Sequence, residues 1–247
     1  MNELDINNYR QIVILTGAGI SVASGLRPFR GPGGLWEDFE PQDIPNAINA
    51  RKNPGTMWKI VQELREKADL LKPNQAHLAI AYLQENAFEG QNITLITQNM
   101  DGLHKKAMSK DVIELHGSAF RTKCSNTACD LTPYEDNELY DLNNLPNCPK
   151  CKDVLRPDVV LFDEPLPARE DWLSKRALRD CDLFIAIGTS GKVYPASNFV
   201  RSAKYVGAHT ILVNLEAMNP PNPAFDKEIL GKAEEILPIL FRLQKTP

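Results

Sequence analysis

Five short apolar runs, Ile12–Thr16, Ile93–Thr97, Val159–Phe162, Leu183–Ile187 and Thr210–Val213, recur along the chain, each bounded by turn residues. A strand with apolar side chains on both faces has to be covered on both faces. Helical patterns lie between several of the runs. In the clearest, from about Gln75 to Ala87, residues Ala76, Ile80, Leu83 and Ala87 share one face, and Pro73 and Asn74 supply the start signal. Strands alternating with helices need crossover connections, so the expected fold is α/β, a doubly wound and mostly parallel sheet. Ligands of such sheets bind beyond the carboxyl ends of the strands.

A chain of 247 residues that is 43% hydrophobic can bury a full core as one large domain, or as one with a small satellite. Its 28 lysines and arginines against 32 aspartates and glutamates give a net charge of −4, no global reason to hold nucleic acid or anionic lipid. The apolar runs are strand-sized, far short of the roughly 20 residues of a membrane span. The start, Met-Asn-Glu-Leu-Asp-Ile, lacks the pattern of a secretory signal, so a soluble chain in the cytoplasm is expected.

Cys124 to Cys151 breaks the pattern: it has few apolar residues and no long periodic segment, so it cannot build a core unaided. It holds four of the five cysteines, as Cys124-x4-Cys129 and, after 18 intervening residues, Cys148-x2-Cys151. Four thiolates at these spacings can converge on one zinc ion at roughly 2.3 Å per sulfur. They leave no open coordination position, so such a metal is structural and chemistry must lie elsewhere. Cys181 reads as a buried small hydrophobe. The stretch has Lys150 as its one basic residue against Asp130, Glu135, Asp136, Glu138 and Asp141, which would repel nucleic-acid phosphates.

Polar groups gather where the runs end. After the first come Thr16-Gly17-Ala18-Gly19-Ile20-Ser21 and then Ser24-Gly25. Glycines here let the backbone approach a pyrophosphate, with N–H groups of the following helix facing the anion. Because Val22 stands where a strict G-x-G-x-x-G has its last glycine, a tight turn without a ligand reads equally well. Phe29 to Trp36 has the composition of a lid in which Arg30 meets a phosphate and Phe29 shields a reactive centre, or of a loop anchored by Trp36. Gln98, Asn99, Asp101 and His104 follow the second run. His116, between Val112–Leu115 and Gly117-Ser118, falls at a strand end where a neutral imidazole can serve as general base near pH 7. His77 and His209 read as structural, and His104 as either. Gly188-Thr189-Ser190 and Asn214-Leu215-Glu216 add two more polar ends, and together they suggest one long polar-rimmed cleft.

In chain order, G-A-G-I-S (17–21), S-G-x-x-x-F-R (24–30), T-Q-N-M-D-G-L-H (97–104), L-H-G-S (115–118), the four cysteines, G-T-S (188–190) and N-L-E (214–216) resemble the sirtuin family, the NAD-dependent protein lysine deacylases. The resemblance covers nearly the whole chain, and the length is similar to that of bacterial and archaeal members. It implies a Rossmann-like NAD domain over about 8–30, 73–118 and 155–247. A smaller zinc-binding domain is implied over about 31–72 and 119–154. NAD+ is implied along Gly17, Ala18, Gly19, Ile20, Ser21, Gly25, Phe29, Arg30 and Trp36. Gln98, Asn99 and Asp101 would surround its nicotinamide ribose and amide. Gly188, Thr189, Ser190, Asn214, Leu215, Glu216 and Ala233 would contact the adenosine half. His116 is implied as the catalytic base, and Cys124, Cys129, Cys148 and Cys151 as ligands of one structural Zn2+. An acyl-lysine peptide would lie against Val160, Phe162, Asp163, Glu164, Val193 and Tyr194 by strand addition. A monomer taking acyl-lysine proteins or peptides, with no membrane or nucleic-acid partner, is the expectation.

The chain also departs from the family. Pro28 stands where the family commonly has aspartate, and Asp163 where it usually has glycine. Arg30 to Trp36 looks like the loop of the desuccinylating class. Counting back from Pro73, however, puts Lys59 and Gln62 where that class has Tyr and Arg, with Arg65 a substitute cation if the register slips. Neutral acyl groups, acetyl most simply, are therefore expected over succinyl. Two alternatives stay open: mono-ADP-ribosyl transfer or NAD hydrolysis on the same fold, and a non-catalytic NAD-sensing module.

Overall fold

A computed structural model describes residues 4–30, 33–40 and 44–242, apart from the side chain of Arg51. Gly31 and Pro32 of the expected lid lie outside the described residues. The strands are β1 (Gln11–Thr16), β2 (Asn92–Thr97), β3 (Ile113–Glu114), β4 (Gly117–Cys124), β5 (Tyr134–Glu135), β6 (Leu155–Val159), β7 (Leu183–Ile187), β8 (His209–Asn214) and β9 (Lys227–Leu230). The helices are α1 (Asn49–Lys52), α2 (Gly55–Glu66), α3 (Gln75–Glu85), α4 (Leu103–Lys106), α5 (Ala168–Arg179), α6 (Phe199–Tyr205) and α7 (Ala233–Leu240).

Among the described residues, six strands form one parallel sheet in the order β3-β2-β1-β7-β8-β9. The order reverses at β1, which places the switch point between β1 and β7. Alternation along β1 explains the unbroken apolar run: Ile12 and Ile14 join the core under α3 and α7, while Val13 and Leu15 join the opposite core under α5 and α6. Asn74 caps α3 by accepting from the Ala76 amide at 2.9 Å, and the His77 side chain returns a bond to the Asn74 amide. The helix ends at Glu85, two residues before the expected Ala87.

A smaller antiparallel sheet, β5-β4-β6, carries the cysteine module. Here the structure corrects the sequence reading, which takes Val159–Phe162 as a strand of the parallel sheet. The strand lies at Leu155–Val159 and pairs with β4. Beyond it the chain turns through Asp163, whose φ is +66°. Met57, Ile60 and Val61 of α2 pack with Ala119, Val159 and Leu161 into a separate small core that Leu64, Trp36, Phe39, Met100 and Phe120 flank.

Arg65 ties α2 to this smaller sheet. Its guanidinium donates to the carbonyls of Ala119 at 2.9 Å and Glu138 at 2.7 Å and to Thr122 Oγ1 at 3.2 Å. It pairs with Asp136 at 3.4 Å, with only 1% of its own side chain and 3% of the aspartate's exposed.

Candidate active site

Because β2, β1, β7 and β8 are neighbours, the polar ends expected from the sequence stand side by side along one edge. Gln98 Nε2 donates to Thr189 Oγ1 at 3.1 Å, and Asn214 Nδ2 to the Thr189 carbonyl at 2.9 Å. The glycines serve this closeness. A Cβ on Gly17 would lie 2.7 Å from the Gly188 carbonyl oxygen, and one on Gly188, at φ +59°, would lie 2.5 Å from the Ile20 nitrogen. Two backbones thus touch where any side chain would part them.

The amides of Gly17 and Gly19 donate to the carbonyls of Ile187 and Gly188, both at 2.9 Å. The expectation that the N–H groups of the following helix face an anion is therefore corrected for Gly19, in its first turn. The segment that follows, Ala18–Ser24, is a 3-10 helix closed by Gly25 in the left-handed region. Leu215 and Glu216 are exposed beyond β8, and Ala233 is buried at the start of α7.

Below the edge lies a buried polar floor. Asp101 accepts from Ser21 Oγ at 2.7 Å and from the Leu103 amide at 2.9 Å. Burial pushes its pKa up, and those two bonds pull against the rise. Asn99 Nδ2 donates to the Gly17 carbonyl at 3.1 Å and sits 3.3 Å from Ser21 Oγ. The rings of His77 and His104 meet at 4.8 Å, and burial lowers the pKa of both, His77 to about 4. His104 belongs to this buried floor, with Nε2 on Thr16 Oγ1 at 2.9 Å, while His209 bonds Tyr9.

His116 stands two residues beyond β3 with its Nδ1 3.1 Å from the Gln98 carbonyl oxygen. A carbonyl only accepts, so Nδ1 carries the proton and Nε2 keeps its lone pair. Desolvation lowers the pKa against the weaker opposing pull of that bond, which leaves the ring neutral at pH 7. An aromatic wall flanks the site: Phe29 stacks on Trp36 at 5.3 Å, Trp36 meets Phe162 edge-on at 5.9 Å, and the Arg30 guanidinium lies over Phe162 at 5.7 Å. Val160 donates its amide to the His116 carbonyl at 2.9 Å. Asp163 and Tyr194 are exposed, Val193 is half-buried, and Glu164 forks onto Arg156 at 2.6 and 3.1 Å.

Lys59 is exposed and borders an outer hollow with Lys52, Asn53 and Thr56, while Gln62 Oε1 accepts from the Tyr140 amide at 2.5 Å. Arg65 is committed to Asp136 and three oxygen partners. The residues that α2 turns toward the small core are Met57, Ile60, Val61 and Leu64, whose helical spacing the sequence already displays. Met100, between Asn99 and Asp101, joins the same cluster, so this apolar surface abuts the polar floor. Sequence reasoning also missed Arg27, which steadies the loop by bonding Asp38 at 2.6 Å and the Gly33 carbonyl at 2.8 Å.

The sulfurs of Cys124, Cys129, Cys148 and Cys151 all lie within 4.8 Å of one another, with Cys124 to Cys151 at 3.4 Å and Cys129 to Cys148 at 3.7 Å. Tetrahedral zinc with bonds of about 2.3 Å sets its sulfurs about 3.8 Å apart, so the donor set fits that ion. Cys181 is buried away from them, its thiol pushed up to about 11 by desolvation.

Residues 17–195 match the model of the Sir2 family. An NAD-dependent protein deacylase 2 of Pyrobaculum aerophilum is 40% identical over 97% of this chain and 94% of its own length. A solved Sir2 homologue in complex with NAD superposes with a TM-score of 0.84 at 37% identity, covering 95% of this chain and 89% of the other. A Sir2 solved with a deacetylated p53 peptide and 3′-O-acetyl ADP-ribose superposes with a TM-score of 0.83 at 29% identity, covering 96% and 94%. The chain belongs to the Sir2 family.

Proposed function

We propose that this protein is an NAD-dependent protein lysine deacylase, with acetyl-lysine peptides as its simplest substrates, that moves the acyl group to ADP-ribose and releases nicotinamide. The observation that carries the reading is His116, neutral and with Nε2 free to take a proton, beside the Gln98–Asp101 floor. Bound NAD supplies the electrophilic ribose carbon and the nicotinamide leaving group. Asn99 and Asp101 orient the ribose and amide, and Thr189, Ser190 and Asn214 hold the adenosine half. Arg30 meets phosphate, and Phe29 with Trp36 keeps water from the reacting centre. His116 Nε2 would take the proton of a ribose hydroxyl, so that this oxygen could attack the acyl carbon, with the lysine amine leaving and one water consumed to balance the transfer. The chain then needs only positioning, one base and exclusion of bulk water.

Neutral acyl groups are preferred, a reading supported by Gln62 being held by the Tyr140 amide and Arg65 by Asp136, so that neither offers a free fork to a carboxylate. The protein acts as a monomer, and it binds no nucleic acid, the second reading being the one that the acidic cysteine module supports. Nicotinamide release should require an acetyl-lysine peptide and fall on the order of 10²-fold or more in His116→Ala. Full turnover in that variant would overturn the mechanism.

A further inference from the structure

The segment carrying His116 crosses from one sheet to the other. Glu114, two residues before it, pairs with Thr97 in the parallel sheet, and Gly117, the residue after it, pairs with Val159 in the smaller one. At this crossing the backbone ladder is interrupted: Gly117 opposes Val159, yet the next paired position on β4 is Thr122, opposite Pro157. Residues 118–121 therefore have no register on β6 to set the spacing of the two sheets.

A side chain spans that gap. Arg121 Nη1 reaches Glu114 Oε2 at 3.0 Å and its Nε reaches Asp158 Oδ2 at 2.9 Å. Both carboxylates are buried, with 6% and 11% of their side chains exposed. Asp158 itself lies against the crossing, since its carbonyl oxygen is 2.0 Å from where a Cβ of Gly117 would be. One planar guanidinium thus links a carboxylate fixed in the parallel sheet to one fixed in the smaller sheet, with His116 on the chain between them. Each carboxylate also has a second cation, Lys105 on Glu114 at 2.7 Å and Lys123 on Asp158 at 3.2 Å. Removing Arg121 therefore leaves neither buried charge unpaired and breaks only the link.

We infer that Arg121 is a positioning residue for the reaction, setting the crossing of the two sheets and hence the place of the His116 ring. The inference rests on His116 being the base. Arg121→Met should fold, keep its zinc, hold KM for peptide and NAD within about twofold, and lose about tenfold in kcat, the cost of a small misplacement of a catalytic group. Arg121→Lys, which can reach one carboxylate but not both, should recover part of the loss. Lys105→Met, which removes a charge from Glu114 but leaves the link, should stay within about twofold of the parent. Wild-type kcat in Arg121→Met, or an equal loss in Lys105→Met, would overturn the inference. If Arg121→Met does not fold, Arg121→Lys carries the test, a kcat loss at constant KM upholding it and parent kcat overturning it. His116→Ala assayed alongside separates the two claims: a fully active His116→Ala removes the base assignment, whereas an inactive one beside a fully active Arg121→Met removes only the positioning role.

Discussion

Asp163 and Gly188 both sit in the left-handed region, for opposite reasons. Asp163, at φ +66°, is exposed at a turn where its Cβ costs conformational energy. Asp163→Gly should relieve this and raise stability by about 1 kcal/mol, read as a higher midpoint in urea. A lower midpoint would mean that the aspartate side chain stabilises the turn. Gly188 has no such freedom, because a Cβ there would lie 2.5 Å from the Ile20 nitrogen. Gly188→Ala should cost on the order of 3 kcal/mol, a fall of roughly 6–12 °C in Tm for a chain of this size. The same contact explains why the glycine-rich turn is ambiguous in the sequence: its glycines answer to a second loop, some 170 residues on, that no local spacing displays.

Two helices make the element-scale tests. In α3, His77 takes up a proton in the unfolded chain below about 6.5, but in the native protein only below about 4. Between those values the unfolded chain binds more protons, so stability is full above about 6.5 and falls as pH drops toward 4, by about 3 kcal/mol from this ring alone. His77→Gln keeps a capping-box residue and removes the titration, so its Tm should fall less steeply over that range. An unchanged slope would put the acid loss elsewhere. In α2, Gln62 held by the Tyr140 amide and Arg65 held by Asp136 predict that acetyl- and longer neutral acyl-lysine exceed succinyl-lysine by roughly tenfold or more in kcat/KM. Succinyl-lysine as the best substrate would contradict that reading.

What was legible follows the same division. β1, β2, β7, β8 and α3 were readable because burial on both faces and a capped 3.6-residue period leave plain patterns, whereas the edge strand β9 shows mainly exposed side chains and no apolar run. The cysteine pairs were readable because metal spacing is local. The small sheet was not, since β4 and β6 carry charged residues, Arg121 and Lys123 against Asp158, that pair between strands some 35 residues apart. The hold on Gln62 and Arg65 was not legible either, because Tyr140 and Asp136 lie more than 70 residues on.

Across the whole molecule, Arg65 joins α2 to the small sheet that carries the cysteine module. Strong chelation should remove one zinc per chain, lower Tm and end activity together, while cobalt substitution should leave turnover nearly unchanged because a closed site touches no substrate. Arg65→Met strands Asp136 in the interior and should cost about 3–5 kcal/mol. The central claim, acyl transfer to ADP-ribose, is tested most directly by mass spectrometry of one reaction of the protein with NAD and an acetyl-lysine peptide. The account predicts nicotinamide, deacetylated peptide and O-acetyl-ADP-ribose in equal amounts; ADP-ribosylated protein, or free ADP-ribose with the peptide still acetylated, would contradict it.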